Sequence, residues 1–138
     1  LAREEFPGEV HVFAPAFKDA DLEELLEITD HIVFNSERQL RKHGARCREA
    51  GVSVGLRLNP QCSTQGDHAL YDPCAPGSRL GVTLDKIPSD LLELVDGLHF
   101  HTLCEQGADD LETTLKAVEA QFGSYLHEVK WQISTSKN

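Results

Sequence analysis

The chain has 138 residues, 40% of them apolar, enough for one compact domain with its own core. Thirteen basic residues against 23 acidic ones leave a formal net charge of −10, which excludes a general affinity for nucleic acid or for an anionic membrane. No signal-peptide pattern and no apolar run of membrane-spanning length appears in these residues, so the expected location is the cytoplasm.

Strand-like and helix-like segments alternate along the chain. Glu9 to Ala14 reads as a short strand. Asp19 then caps a helix in which Leu22, Leu25, Leu26 and Thr29 recur at helical spacing. His31 to Phe34 is a short apolar run, and Ser36-x-x-Gln39 predicts a capping box opening a helix that ends at Gly51. A strand begins at Ser53, and Asn59 to Gly77 is a long loop bearing Pro60, Pro73 and Pro76. Pro88-Ser89-Asp90 opens a short helix through Leu94, followed by a strand from Gly97 to His101. Leu111, Leu115, Val118 and Phe122 mark an amphipathic helix closed by Gly123, and Glu128 to Ile133 is the last strand. Residues 134–138 are polar and aperiodic and read as a frayed end. This order predicts a parallel sheet or a sector of a (β/α) barrel. A complete barrel needs about 250 residues, so on the barrel reading this chain is incomplete. The two outermost strands then leave unpaired edges, and the chain alone is expected to be marginally stable or self-associating.

Two strands carry the chemistry. In Gly97-Leu98-His99-Phe100-His101, alternation sets Gly97, His99 and His101 on one face and Leu98 and Phe100 on the other. In Ser53-Val54-Gly55-Leu56-Arg57-Leu58, the residues Ser53, Gly55 and Arg57 share a face opposite Val54, Leu56 and Leu58. Each strand therefore brings a cationic or ionisable group to its carboxyl end, where barrel enzymes place their sites. Arg57 and His101 are expected to open into one cavity that takes an anionic or electron-rich ligand. His101 can also be an internal barrel histidine, and Arg57 can form an ion pair across the barrel, for instance with Glu105. The His99–His101 pair has the look of a metal-dependent hydrolase. Its further ligands would have to be Glu105, His31 or Asp67, and none has supporting spacing, so no metal site is assigned.

Cys47, Cys62, Cys74 and Cys104 show no zinc or redox spacing and read as reduced, mostly buried thiols. The basic residues Arg38, Arg41, Lys42, Arg46 and Arg48 lie at helical spacing and read as a solvated face balancing Glu37 and Glu49.

Several strings together carry a family resemblance. VFNSERQL (Val33–Leu40), GLRLNP (Gly55–Pro60), PCAPGSRLG (Pro73–Gly81), GLHFHTLCE (Gly97–Glu105) and LHEVKW (Leu126–Trp131) resemble the carboxynorspermidine decarboxylases. That family sits among the pyridoxal-phosphate decarboxylases with an alanine-racemase-like barrel, alongside the ornithine and diaminopimelate decarboxylases. The resemblance implies an α/β fold that is one sector of a (β/α)8 TIM-type barrel over residues 1–131, with 132–138 a non-matching polar tail. It also implies a cytoplasmic enzyme of polyamine biosynthesis, homodimeric in its parent form. Such an enzyme converts carboxynorspermidine or carboxyspermidine to norspermidine or spermidine with pyridoxal 5′-phosphate.

By residue, the resemblance implies that His101 stacks on the cofactor ring, that Arg57 lies near the cofactor, and that Cys104 lies near its phosphate. Ser78, Arg79 and Glu105 line the site. The lysine that anchors the cofactor, the glycine-rich phosphate loop and the acidic partner of the ring nitrogen match nothing in this chain, so no catalytic residue is assigned within it. Three other functions stay open: decarboxylation of another amino acid such as diaminopimelate, a metal-dependent barrel hydrolase, and a non-catalytic relative that pairs with a complete decarboxylase.

Overall fold

A computed structural model describes residues 1–66, 72–104 and 106–137, without the side chains of residues 2, 104 and 133–137. Elements follow in the order α1 (Ala2–Glu5), β1 (His11–Phe13), α2 (Asp19–Ile28), β2 (His31–Phe34), α3 (Glu37–Glu49) and β3 (Ser53–Leu58). After the loop come a 3-10 turn (Leu84–Lys86), α4 (Leu91–Leu94), β4 (Gly97–Cys104), α5 (Ala108–Leu126) and β5 (Trp131–Lys137). All strand pairs are parallel, and their spatial order β1-β2-β3-β4-β5 is the order of the sequence. A doubly wound sheet reverses direction at its centre, whereas an unbroken parallel succession is how a (β/α) barrel is wound.

The helices cover one face of this sheet. Ile32, Phe34, Val54, Leu56, Leu58, Leu98 and Phe100 point from the strands into a single apolar cluster. Leu22 and Leu26 of α2, Leu40 and Cys47 of α3, and Val118, Phe122 and Leu126 of α5 meet them there. The residues between them in sequence face the other way, as alternation predicts. Cys47 is wholly buried in this layer, and burial pushes its thiol up to about 11, so it is a packing residue and not a nucleophile.

Local signals mostly behave as their chemistry requires, with four differences. The cap of α3 is Ser36, whose Oγ accepts from the Gln39 backbone N–H at 3.4 Å. The return bond of the capping box is shifted by one residue: Gln39 Oε1 accepts from the Asn35 N–H at 3.3 Å. Asp19 is the first residue of α2 rather than its cap, its carboxylate being held by Lys42 at 2.6 Å. Gly123 lies inside α5, which continues to Leu126. The buried stripe of that helix is Thr114, Val118, Phe122 and Leu126, while Leu111 and Leu115 face outward. Both stripes are helical in period; packing against β4 selects one of them.

The largest departure is at the carboxyl end. Residues expected to form a frayed tail extend β5 to Lys137, with Gln132, Ser134, Ser136 and Lys137 paired to Leu98, Phe100, Leu103 and Cys104. Ladder hydrogen bonds come from the backbone, so a polar segment can pair as well as an apolar one. β4 likewise runs past His101 to Cys104, and its register against β5 shifts between Phe100 and Leu103. Such irregularities bend a strand and re-aim a side chain, and this one falls at His101.

The basic residues of α3 are indeed a solvated face, with most of their partners on neighbouring elements. Arg41 pairs with Glu37 at 2.8 Å and Asp90 at 2.7 Å, Lys42 with Asp19, and Arg46 with Glu23 at 2.5 Å. These exposed pairs align α2, α3 and α4 and contribute little net stability.

Candidate active site

The face away from the helices is layered. At its amino-terminal side the indole of Trp131 lies across Gly97 and Gly55, and its Nε1–H donates to Ser53 Oγ at 2.8 Å. The indole also meets the His31 ring edge-on, with centroids 5.3 Å apart. The two glycines on this face are thus seats for an aromatic ring that arrives from β5. Trp131 is the nearest obstacle at both, and nothing local to β3 or β4 reveals it.

Above this floor, toward the carboxyl ends, lie Phe13, Arg57, His99 and His101. Arg57 and His99 are register partners on β3 and β4, each 2% exposed. The Arg57 Nη2 donates to the His101 carbonyl at 2.9 Å, and its guanidinium carbon stands 4.8 Å above the Phe13 ring. Phe13 in turn stacks on His99 with centroids 5.1 Å apart. Arg57 and His101 are therefore brought to one end of one face. The guanidinium is buried against the strands rather than spread along an open wall, and His101 is the half-buried member of the pair.

Burial, then the neighbouring Arg57 and His101, push the His99 imidazole down to about 4. It is neutral at pH 7. An unfolded histidine titrates near 6.5, so the unfolded chain binds the extra proton between pH 6.5 and 4, and stability falls as pH drops through that window. The expected loss is about 3 kcal/mol across it. Urea unfolding at pH 7 and pH 4.5 measures it, and His99→Gln should flatten the dependence; an unchanged slope in that variant would place the effect elsewhere.

A cover of loop closes over the strand ends and is held by two asparagines. Asn59, 4% exposed, donates from Nδ2 to the carbonyls of Pro73 and Leu80 and accepts from the Gln61 N–H. Asn35 donates to the Arg79 carbonyl at 2.7 Å and accepts from the Gly81 N–H at 2.9 Å. Gly81 has φ 81°, and a Cβ there would lie 2.8 Å from the Leu58 backbone, so the chain can run this close only as glycine. The sequence pattern assigns neither asparagine this clamping role; a polar residue directly after a buried strand is the available signal.

Ser78 and Arg79 sit in this cover, where Ser78 Oγ accepts from the Leu80 N–H and the Arg79 side chain is exposed. Cys74 is buried in the same segment, and burial pushes its thiol up to about 11. The Cys104 side chain, Glu105 and Asp67 lie outside the described residues. His31 stands at the amino-terminal end of β2, remote along the strands from His101, so it does not join the His99–His101 pair.

Comparison with known proteins gives this geometry its context. The chain is 38% identical over 131 residues to the carboxynorspermidine/carboxyspermidine decarboxylase of Campylobacter jejuni, covering 95% of this chain and 34% of that protein. Over nearly its whole length it is a homologue of these decarboxylases. It spans about a third of the length of the curated relatives it matches. A carboxyaminopropylagmatine decarboxylase of Synechocystis is 41% identical over 132 residues, with 95% of this chain and 34% of that protein covered. The crystal structure of the Campylobacter jejuni carboxynorspermidine decarboxylase, complexed with norspermidine, superposes with a TM-score of 0.81 at 36% identity over 95% of this chain and 32% of that one. A diaminopimelate decarboxylase structure superposes at 0.65 with 22% identity, over 88% of this chain and 30% of that one, a likeness of fold. No family profile matches the chain. The α/β sheet is therefore the same stretch of barrel that these decarboxylases contain. Among the described residues no helix is long and apolar enough to cross a membrane.

Proposed function

We propose that the protein is a pyridoxal-phosphate-dependent carboxy-lyase acting on carboxynorspermidine or carboxyspermidine and yielding norspermidine or spermidine. The observation that supports this is the likeness, 36–38% identical over 95% of the chain, to enzymes of that name. The buried cation and imidazoles at the carboxyl ends of parallel strands agree with it.

The residues present fit part of the cofactor. His101, half-buried at the irregular stretch of the β4–β5 ladder, suits the face of a flat aromatic ring, and the Arg57 bond to its carbonyl holds that backbone in place. Among the described side chains no residue fits the covalent anchor. Lys18, Lys42, Lys86, Lys116 and Lys130 are all exposed, and three of them pair with surface carboxylates. The cofactor supplies the electron sink that makes loss of a carboxylate possible. The chain's own contribution is orientation. His101 would set the plane of the ring, Arg57, seated on Phe13, holds the His101 backbone, and neutral His99 adds no second charge beneath them.

A second reading, carboxyaminopropylagmatine as substrate, draws on the relative at 41% identity. The deciding experiment takes these residues in their parent form, completed by the segments that the relatives carry, supplies pyridoxal phosphate and carboxynorspermidine, carboxyspermidine, carboxyaminopropylagmatine or diaminopimelate, and reads decarboxylated product by mass spectrometry. Preference for the first two by kcat/KM is expected. Preference for the third establishes the second reading, and no turnover of any carboxypolyamine overturns both.

A further inference from the structure

At the amino-terminal end of the sheet, away from the candidate active site, Glu9, His11 and His31 converge. Glu9 Oε2 lies 3.5 Å from His11 Nε2 and 3.2 Å from His31 Nε2, so one carboxylate oxygen faces both ring nitrogens. One ligand atom from each of the three lies within 4.8 Å of the others. The arrangement follows from the fold. His11 and His31 are register partners at the starts of β1 and β2, and Glu9 precedes His11 by two residues. The two imidazoles stack at 4.1 Å, only 3° from parallel.

We propose that these three residues bind a divalent transition metal, zinc by donor type, as a clip between β1 and β2. Two imidazoles and one carboxylate form a ligand set that zinc accepts, with water in the fourth position. Zinc holds nitrogen and oxygen ligands at about 2.0–2.2 Å in tetrahedral directions, so the donors must draw together by roughly an ångström and His11 must turn out of its stack on His31 for both lone pairs to meet one ion. Glu9 and His11 can do this because they are rim side chains, 71% and 34% exposed, while His31 at 14% is the fixed member. The alternative is a metal-free cluster in which the Glu9 carboxylate accepts Nε2–H bonds from the rings, and stoichiometric metal binding separates the two.

The clip has a structural purpose. β1 is only three residues long. A metal bound from Glu9 and His11 to His31 would fasten its start, beside the existing tie from Asp30 Oδ2 to the Val10 N–H at 2.8 Å.

The test titrates the purified protein with zinc alone against a chromophoric chelator, and repeats it with cobalt to read tetrahedral absorption. One ion per chain with micromolar or tighter affinity is expected. Glu9→Gln and His11→Asn should each weaken binding at least about tenfold, and the double variant should abolish it. His127→Asn, a surface histidine outside the cluster, should leave it unchanged. Zinc should also slow amide exchange in His11–Phe13 of the unaltered protein and not of the double variant. Both altered side chains are at the rim, so circular dichroism should confirm an intact fold. Absence of stoichiometric binding, or binding that survives in the double variant and marks an adventitious ion only, would overturn the proposal.

Discussion

Replacing Gly97 by alanine should destabilise the protein by about 3 kcal/mol, at the upper end of what overpacking costs. A Cβ at this position would overlap Cδ2, Cε2 and Cε3 of Trp131, the fused centre of the indole rather than a movable tip. The ring can escape only by swinging off the sheet. It then loses its bond to Ser53 and its edge contact with His31. The expected fall in melting temperature is roughly 10 °C. The decisive comparison is a double-mutant cycle with Trp131→Ala. If the indole is the obstacle, removing it relieves the clash and the two effects couple by at least about 1 kcal/mol. Strict additivity would show that Gly97 is needed for some other reason.

The second large effect is an absence of activity. Residues 1–138 by themselves should form no specific covalent adduct with pyridoxal phosphate and release no carbon dioxide from carboxynorspermidine. Every lysine whose side chain is described lies on the exposed surface, and none shares the face of Arg57, His99 and His101. Orientation without an anchor does not retain a cofactor. The measurement is incubation with the cofactor, borohydride reduction and peptide mapping. Diffuse, substoichiometric labelling is the expected result. Near-stoichiometric label on one lysine together with turnover would show that an anchor exists within these residues.

Much of the architecture is readable from local pattern because its causes are local. The segment His31–Phe34 and the strand Ser53–Leu58 form as alternation and turn residues indicate. Ser36 caps α3 because a hydroxyl placed there satisfies an otherwise orphaned N–H. The division of β3 and β4 into an apolar and a polar face follows from period two alone, and it already selects Arg57, His99 and His101.

Where reading stops, the missing cause is a partner distant in sequence. The stripe of α5 that is buried depends on β4, and the strand in residues 131–137 depends on the unpaired edge that β4 offers. Gly55 and Gly97 are small because Trp131 needs the space, from 76 and 34 residues further along the chain. Asn35 and Asn59 clamp segments more than a dozen residues away. The cluster of Glu9, His11 and His31 exists only through the register of β1 on β2.

The sequence by itself thus determined the parallel α/β plan, the polar face and the kinship with polyamine-forming decarboxylases. Its short-range terms — alternation, capping, and motif strings such as PCAPGSRLG and GLHFHTLCE — report on neighbouring residues. Only the tertiary structure decided that Arg57 is buried beneath His101, that His99 is kept neutral, and that an indole forms the floor. Burial, dielectric and close approach are set by what folds back from elsewhere in the chain, and no window of local sequence contains that information.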